Sequence, residues 1–391
     1  MSGIIANVLL NGKKAKRGHA CFVENFPKIL YSLLSGESQT FKLPDGSELT
    51  AALVYDNIEF YTHGKHEWRM RALRAAAGEG DDSYGIIVGS GDTPPSNSDY
   101  ALESKISHGD GDNLLHYGPV TVSDIYVTDS EVYFEITRDF TNNGSVDVTV
   151  KEIGLVVYQT ILYRTNTSDH VNVDFKALII RDVLDTPRTI SPGSTLSVTY
   201  RISVALPFLK NMALWLRGLM AGTTVTLKNQ GGGDTNLQLD RGAYREGISW
   251  SRGAVLMLMN FKAGSEDDNG GIIVGSSDTA PTLDDYCLGS KITKDQVYYG
   301  SSNPVELASE VDKWVLRFRR TIRNDGTSPV TVKEIGFKFR YRCYVYYYTA
   351  GMSLADCDED RRLLVFREVK GPYTLNPGDL ITVTGEIEIP K

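Results

Sequence analysis

The chain has 391 residues, 41 of them Lys or Arg and 49 Asp or Glu, for a formal net charge of −8. That balance excludes a broad basic surface, so no direct nucleic-acid role is expected. No window approaches 18 apolar residues, so no membrane-spanning helix is expected either.

Residues 1–21 read as an N-terminal arm. Ile4 to Leu10 form a candidate strand, ended by the turn dipeptide Asn11-Gly12. The arm suits packing on a neighbouring subunit or back on its own domain. It lacks an apolar run followed by a small-residue cleavage site, so no secretory signal is expected and the chain is read as made in a cytoplasm. The cluster Lys13, Lys14, Lys16 and Arg17 is read as a solvated loop.

Residues 26–36 read as a short helix, with Pro27 near its start, Gly36 as its stop and Ile29, Leu30, Leu33 and Leu34 on one face. From about residue 38 the pattern is strand-like. Thr40-Phe41-Lys42-Leu43 leads into the turn Pro44-Asp45-Gly46. Apolar runs at 51–61 and 68–77 precede a strand at 84–88. Residues 125–140 alternate, and Asn142-Asn143-Gly144 signals a hairpin into a returning strand through Val157. Leu196, Val198, Tyr200, Ile202 and Val204 alternate strictly in a closing strand.

The series then starts again. Gly85-Ile86-Ile87-Val88-Gly89-Ser90-Gly91-Asp92-Thr93 returns as Gly271-Ile272-Ile273-Val274-Gly275-Ser276-Ser277-Asp278-Thr279, 186 residues later. Thr149-Val150-Lys151-Glu152-Ile153-Gly154 returns as Thr331-Val332-Lys333-Glu334-Ile335-Gly336. The helix returns at 208–219 with Gly222 as its stop, and the closing strand at 380–389. A period this long implies a duplicated domain rather than a solenoid. The expected fold is all-β: an arm at 1–21, then two tandem β-sandwich domains at 22–206 and 207–391, jelly-roll-like or Ig-like, each with one short N-terminal helix.

No catalytic, cofactor-binding or metal site is expected. His108-Gly109-Asp110-Gly111-Asp112 has hard oxygen ligands for Ca²⁺ but not their spacing, so a plain turn is preferred. Asp356-Cys357-Asp358-Glu359-Asp360 reads as an acidic loop. The 85–93 loop lacks a phosphate-binding Lys and a following helix. Asp92 and Thr93 are expected to cap its turn, and Gly89 and Gly275 to take backbone conformations costly for other residues. All six histidines lie in the first half, with no nucleophile or acid at telling spacing, and no Gly-x-Ser-x-Gly elbow occurs. Of the four cysteines, Cys343 and Cys357 could pair if their strands adjoin; buried thiols are the preferred reading of the set, Cys21 and Cys287 included. Tyrosine is abundant at 21 residues, many in Tyr341-Arg342-Cys343-Tyr344-Val345-Tyr346-Tyr347-Tyr348. That strand suits a contact surface, sugar stacking or a core buried on both faces.

The run 85–95 with Asp99-Tyr100-Ala101-Leu102-Glu103 resembles a β-sandwich module of structural proteins of tailed phages and archaeal viruses. So do Arg138-Asp139-Phe140-Thr141-Asn142-Asn143-Gly144 leading to Leu155, and Arg181-Asp182-Val183-Leu184 followed by Ser191-Pro192-Gly193. The second copy departs from the pattern at Phe337 (for Leu155) and Gly385 (for Tyr200). The resemblance implies a non-enzymatic virion protein of a capsid, tail or surface appendage. Its partners would be copies of itself and other virion proteins. The alternative is an adhesin or carbohydrate-binding protein, with a host-surface glycan as partner.

Overall fold

A computed structural model describes residues 3–15, 20–35, 37–51, 73–164, 170–238, 255–261, 263–345 and 362–391. Over the described residues the chain is mostly β with two helices. In order, the elements are β1 (Ile4–Leu10), β2 (Lys13–Lys14), α1 (Asn25–Ser35), β3 (Gln39–Lys42), β4 (Glu48–Ala51), β5 (Gly85–Gly89), β6 (His116–Tyr117), β7 (Thr121–Val122), β8 (Tyr126–Val127), β9 (Glu131–Thr141), β10 (Val148–Arg164), β11 (His170–Ile190) and β12 (Thr195–Ala205). There follow α2 (Lys210–Ala221), β13 (Thr224–Lys228), β14 (Asp234–Gln238), β15 (Val255–Asn260), β16 (Gly271–Gly275), β17 (Tyr298–Ser309), β18 (Lys313–Arg323), β19 (Val330–Val345), β20 (Arg362–Leu375) and β21 (Leu380–Pro390).

Pairing repeats between the halves. Strand β10 pairs antiparallel with β5 and β11, as β19 does with β16 and β20. Strand β9 pairs with β12, as β18 does with β21. The hairpins β3–β4 and β13–β14 also correspond, and Gly46 of the first takes a left-handed φ of 84°, as its turn requires. The arm has no counterpart. Its β1 adds to β12 of its own chain over Ile4–Leu10, burying Ile4, Ala6, Val8 and Leu10, and turns into β2 through Asn11 and Gly12, both at positive φ. The edge of β12 in the same chain holds this strand.

Two expectations need correction. Asn142-Asn143-Gly144 is a turn but not a hairpin: β9 and β10, on either side of it, belong to different sheets. The Asn142 side chain makes this crossing, donating to the carbonyls of Val146 and Ile190, and Asn324 does the same to Ser328 and Leu375. The helices also bury more than a single stripe. Ser32 and Ser35 are buried on α1, and α2 buries nine of its twelve residues, including Trp215.

The reason is that each helix serves both halves. Helix α1 packs on β3 and β11 of its own half and on β15, β17 and β18 of the other; α2 packs on β13 and β20, and on β7, β9 and β12 of the first half. The exchange is reciprocal down to single bonds. Ala75 donates its N–H to the carbonyl of Met220 (2.8 Å), and Phe261 donates to that of Leu34 (3.0 Å). Arg217 on α2 also donates to the Ser123 carbonyl and pairs with Asp124. One continuous apolar core therefore runs through both halves.

Candidate functional site

The repeated loops 85–93 and 271–279 cradle an anion, and that anion is the chain's own. Glu152, fully buried on β10, accepts N–H bonds from Gly91 (3.1 Å) and Ser104 (2.7 Å) on one oxygen and from Glu103 (3.1 Å) on the other. Arg181 on β11 donates Nε to it at 3.0 Å, pairs with Asp99 at 2.7 Å and donates to the Thr93 carbonyl. In the second half Glu334 takes N–H bonds from Ser277, Gly289 and Ser290, and Arg367 joins it to Asp285 and the Thr279 carbonyl. Burial pulls both guanidiniums down, but the bonds to aspartate and glutamate outweigh it and hold them above their usual value. Each carboxylate is paired and fully bonded, the condition under which a buried charge is tolerable.

This geometry decides the roles of the loop residues. Gly89 and Gly275 do not have positive φ; Gly85 (81°) and Gly271 (68°) do. Gly89 is needed for space: a Cβ there would lie 2.5 Å from Glu152 Oε1 and 2.6 Å from the Ser104 carbonyl, and Gly275 meets Glu334 and Ser290 likewise. Asp92 does not chiefly cap the turn; its carboxylate takes the Lys151 ammonium at 2.8 Å, as Asp278 takes that of Lys333 at 2.9 Å. Thr93 is held through its backbone, its N–H donated to Glu103.

A second buried constellation was not expected from the sequence. Arg138 has five N–H groups and donates them to five backbone carbonyls: Gly118, Tyr84, Ile86, Gly78 and Asp81. Arg320 does the same to Gly300, Gly270, Ile272, Gly264 and Asp267. Each lies over a buried tyrosine ring, Tyr117 or Tyr299. Burial lowers both guanidiniums from their ordinary value. An arginine on an alternating strand carries no signal of burial; only its recurrence as Arg138 and Arg320 could have pointed to it.

The 108–112 turn is held by its own carboxylates. Asp110 accepts from Asn143 (2.8 Å) and faces His116 Nδ1 (3.1 Å), while Asp112 accepts from the Ser145 N–H and hydroxyl. The other His116 nitrogen faces Glu79 at 3.1 Å. Among the described residues no group of three metal-ligating side chains forms. Cys21 and Cys287 are half-buried rather than buried, and neither is in a disulfide. The acidic run 356–360, Cys357 and Tyr346 to Tyr348 lie outside the described residues, and of Tyr341 to Val345 only the backbone, in β19, is described. His19, His63 and His66 also lie outside. Among described helices none is long and apolar enough to cross a membrane.

An exposed aromatic on β8 stacks on a half-buried one on β9. Tyr126, 47% exposed, stacks on its cross-strand partner Tyr133 at 5.0 Å, and Arg201 covers the other ring at 4.2 Å. Set against family models, curated proteins and solved structures, the chain matches none.

Proposed function

We propose that the chain is a virion structural protein of a prokaryotic virus, two fused β-sandwiches that assemble with copies of themselves in a capsid, tail or surface appendage. The observation that carries this reading is the role of the charges shared by both halves. Glu152 and Glu334, Arg181 and Arg367, and Arg138 and Arg320 are all buried and bonded to loop backbone or to each other. They brace a scaffold and leave no free nucleophile or base among them. The resemblance of the same residues to a viral structural module points the same way. Electron microscopy of the purified protein tests it: regular rings, tubes or particles are expected, and a monomer at all concentrations overturns it.

A second reading, a glycan-binding adhesin, draws on exposed Tyr126 stacked on Tyr133, since stacked rings flanked by Arg201 and Glu135 suit the apolar face and hydroxyls of a sugar. Glycan-array binding abolished by Tyr126→Ala would favour it over assembly.

A further inference from the structure

Three residues of the second half differ from their first-half counterparts in one place. Lys338 on β19 stands where the first half has Val156, Cys287 where it has Ala101, and Gln230, in the turn between β13 and β14, where it has Pro44. The Lys338 ammonium donates to the Gln230 side-chain oxygen at 2.5 Å, and the Lys338 and Cys287 side chains each feel the other's charge. The surrounding frame is common to both halves. Lys291 pairs with Asp268 at 3.1 Å as Lys105 does with Asp82, and the turn glycine, Gly232 or Gly46, is left-handed in each. Since valine serves this position in the first half, the sandwich does not need the amine.

The setting makes that amine a nucleophile. Lys338 is buried, and its cross-strand partner Leu364 belongs to a small apolar cluster with Leu209, Ile273 and Leu288, apart from the main core. Among the described residues no carboxylate pairs with it: Asp268 is held by Lys291 and Asp267 by Arg362, at 3.1 Å each. Burial pushes the Cys287 thiol up, so it stays protonated and supplies no counter-charge. Burial, with Lys291 and Arg362 nearby, brings the Lys338 amine down to about 8. A desolvated lysine beside other cations is the usual form of an imine-forming amine. It lies one layer from solvent, under half-buried Gln230 and Cys287. Asn229 closes the turn by accepting the Gly231 and Gly233 N–H groups, so the Gln230 side chain can swing off the amine without undoing the hairpin.

We propose that Lys338 is a covalent capture site for a small carbonyl compound that carries a phosphate or carboxylate. This goes beyond the assembly reading and does not rest on it. The neutral Lys338 nitrogen adds to the carbonyl carbon, the oxygen takes up the protons that the nitrogen loses, and water leaves as the C=N bond forms. Amine and carbonyl become imine and water, with no oxidant or reductant, and hydrolysis reverses the step. Lys291 and Arg362 supply the positive field for the anionic group.

Pyridoxal 5′-phosphate, an aldehyde with a phosphate, is the probe. The full-length chain is treated with it at neutral pH, borohydride adds hydride to the imine carbon, and the stable secondary amines are mapped by peptide mass spectrometry. Lys338 should be labelled at least about ten times faster than Lys370, whose side chain is 53% exposed. Pyridoxal without the phosphate should lose most of that preference, and inorganic phosphate should compete. Gln230→Glu, a change on the outer side of the site, gives the amine the carboxylate it lacks and should slow labelling to the surface rate. Lys338→Met should leave only the slow surface adducts. Labelling of Lys338 no faster than of Lys370 overturns the proposal, as does a Gln230→Glu variant labelled at the parent's rate. Equal preference for pyridoxal removes the anionic group from it.

Discussion

At the scale of single residues, the two departures of the second copy are one coupled exchange. Phe337 stands where the first half has Leu155, and Gly385 where it has Tyr200. A Cβ on Gly385 would lie 1.5 Å from Phe337 Cζ, so the glycine exists to admit the ring. Phe261, Phe318 and Phe366 surround it, the last stacked at 4.1 Å, in places where the first half carries Ala75, Ile136 and Ile180. Losing the tyrosine ring at Gly385 offsets part of the bulk that the four phenylalanines bring, as a close-packed interior demands. Gly385→Ala should therefore cost about 1–3 kcal/mol by overpacking. In a Phe337→Leu, Gly385→Phe double variant the losses should partly cancel, with a coupling of at least about 1 kcal/mol in urea unfolding; additive losses would show that the two residues are independent.

Lys338 makes a different case. It replaces the first half's Val156, is 2% exposed, and its ammonium donates to the Gln230 side-chain oxygen at 2.5 Å. Burial, with Lys291 and Arg362 nearby, pushes it down to about 8. The folded state thus holds this proton less tightly than the unfolded chain does. The penalty is complete below about pH 8 and is relieved as pH rises toward the ordinary lysine value, so stability should increase across that interval. Lys338→Val should be more stable than the parent by on the order of 3 kcal/mol at pH 7, with the gap narrowing at pH 10. A gap that does not change with pH would mean that the amine is not the source.

At the scale of elements, the sequence was most readable where one face of a strand is buried and the other wet. Residues 195–205 and 380–390 alternate, and both are strands of the expected extent. The long β10–β11 hairpin was less legible, and β11 was not expected at all. Ala177, Leu178, Ile179 and Ile180 are all buried, so the run has no period of two to read. The repeated glycine loop was visible as a motif, but its meaning was not. Its anion is supplied by Glu152, about 60 residues away in the chain, and no local pattern announces that contact. Deleting residues 2–18 removes β1 from β12 and uncovers Val198, Tyr200 and Ile202, so this variant should lose several degrees of Tm. An unchanged melting temperature would make the arm a loose flap.

At the scale of the whole molecule, the reciprocal helices argue that the halves form one cooperative unit. Each half alone would expose the apolar surface that the other's helix covers, and would carry a helix with half its contacts missing. Residues 22–206 or 207–391 expressed separately should be aggregation-prone or loosely packed by near-ultraviolet circular dichroism. Co-expressed, they should recover a complex that melts in a single transition. Two independent, native-like melts would show that the helices merely touch.

The same exchange bears on how the chain is made. Helix α1 is complete at Ser35, but the strands β17 and β18 that cover its second face end only at Arg323. At roughly 5–20 residues per second, that face stays open for on the order of tens of seconds. Neighbouring nascent chains on one message each present the same open helix. Those that have already made β17 and β18 present its receptor too. Correct pairing within one chain then competes with pairing between chains, so slower elongation after residue 323 cannot help, whereas a chaperone that shields α1 before that point can.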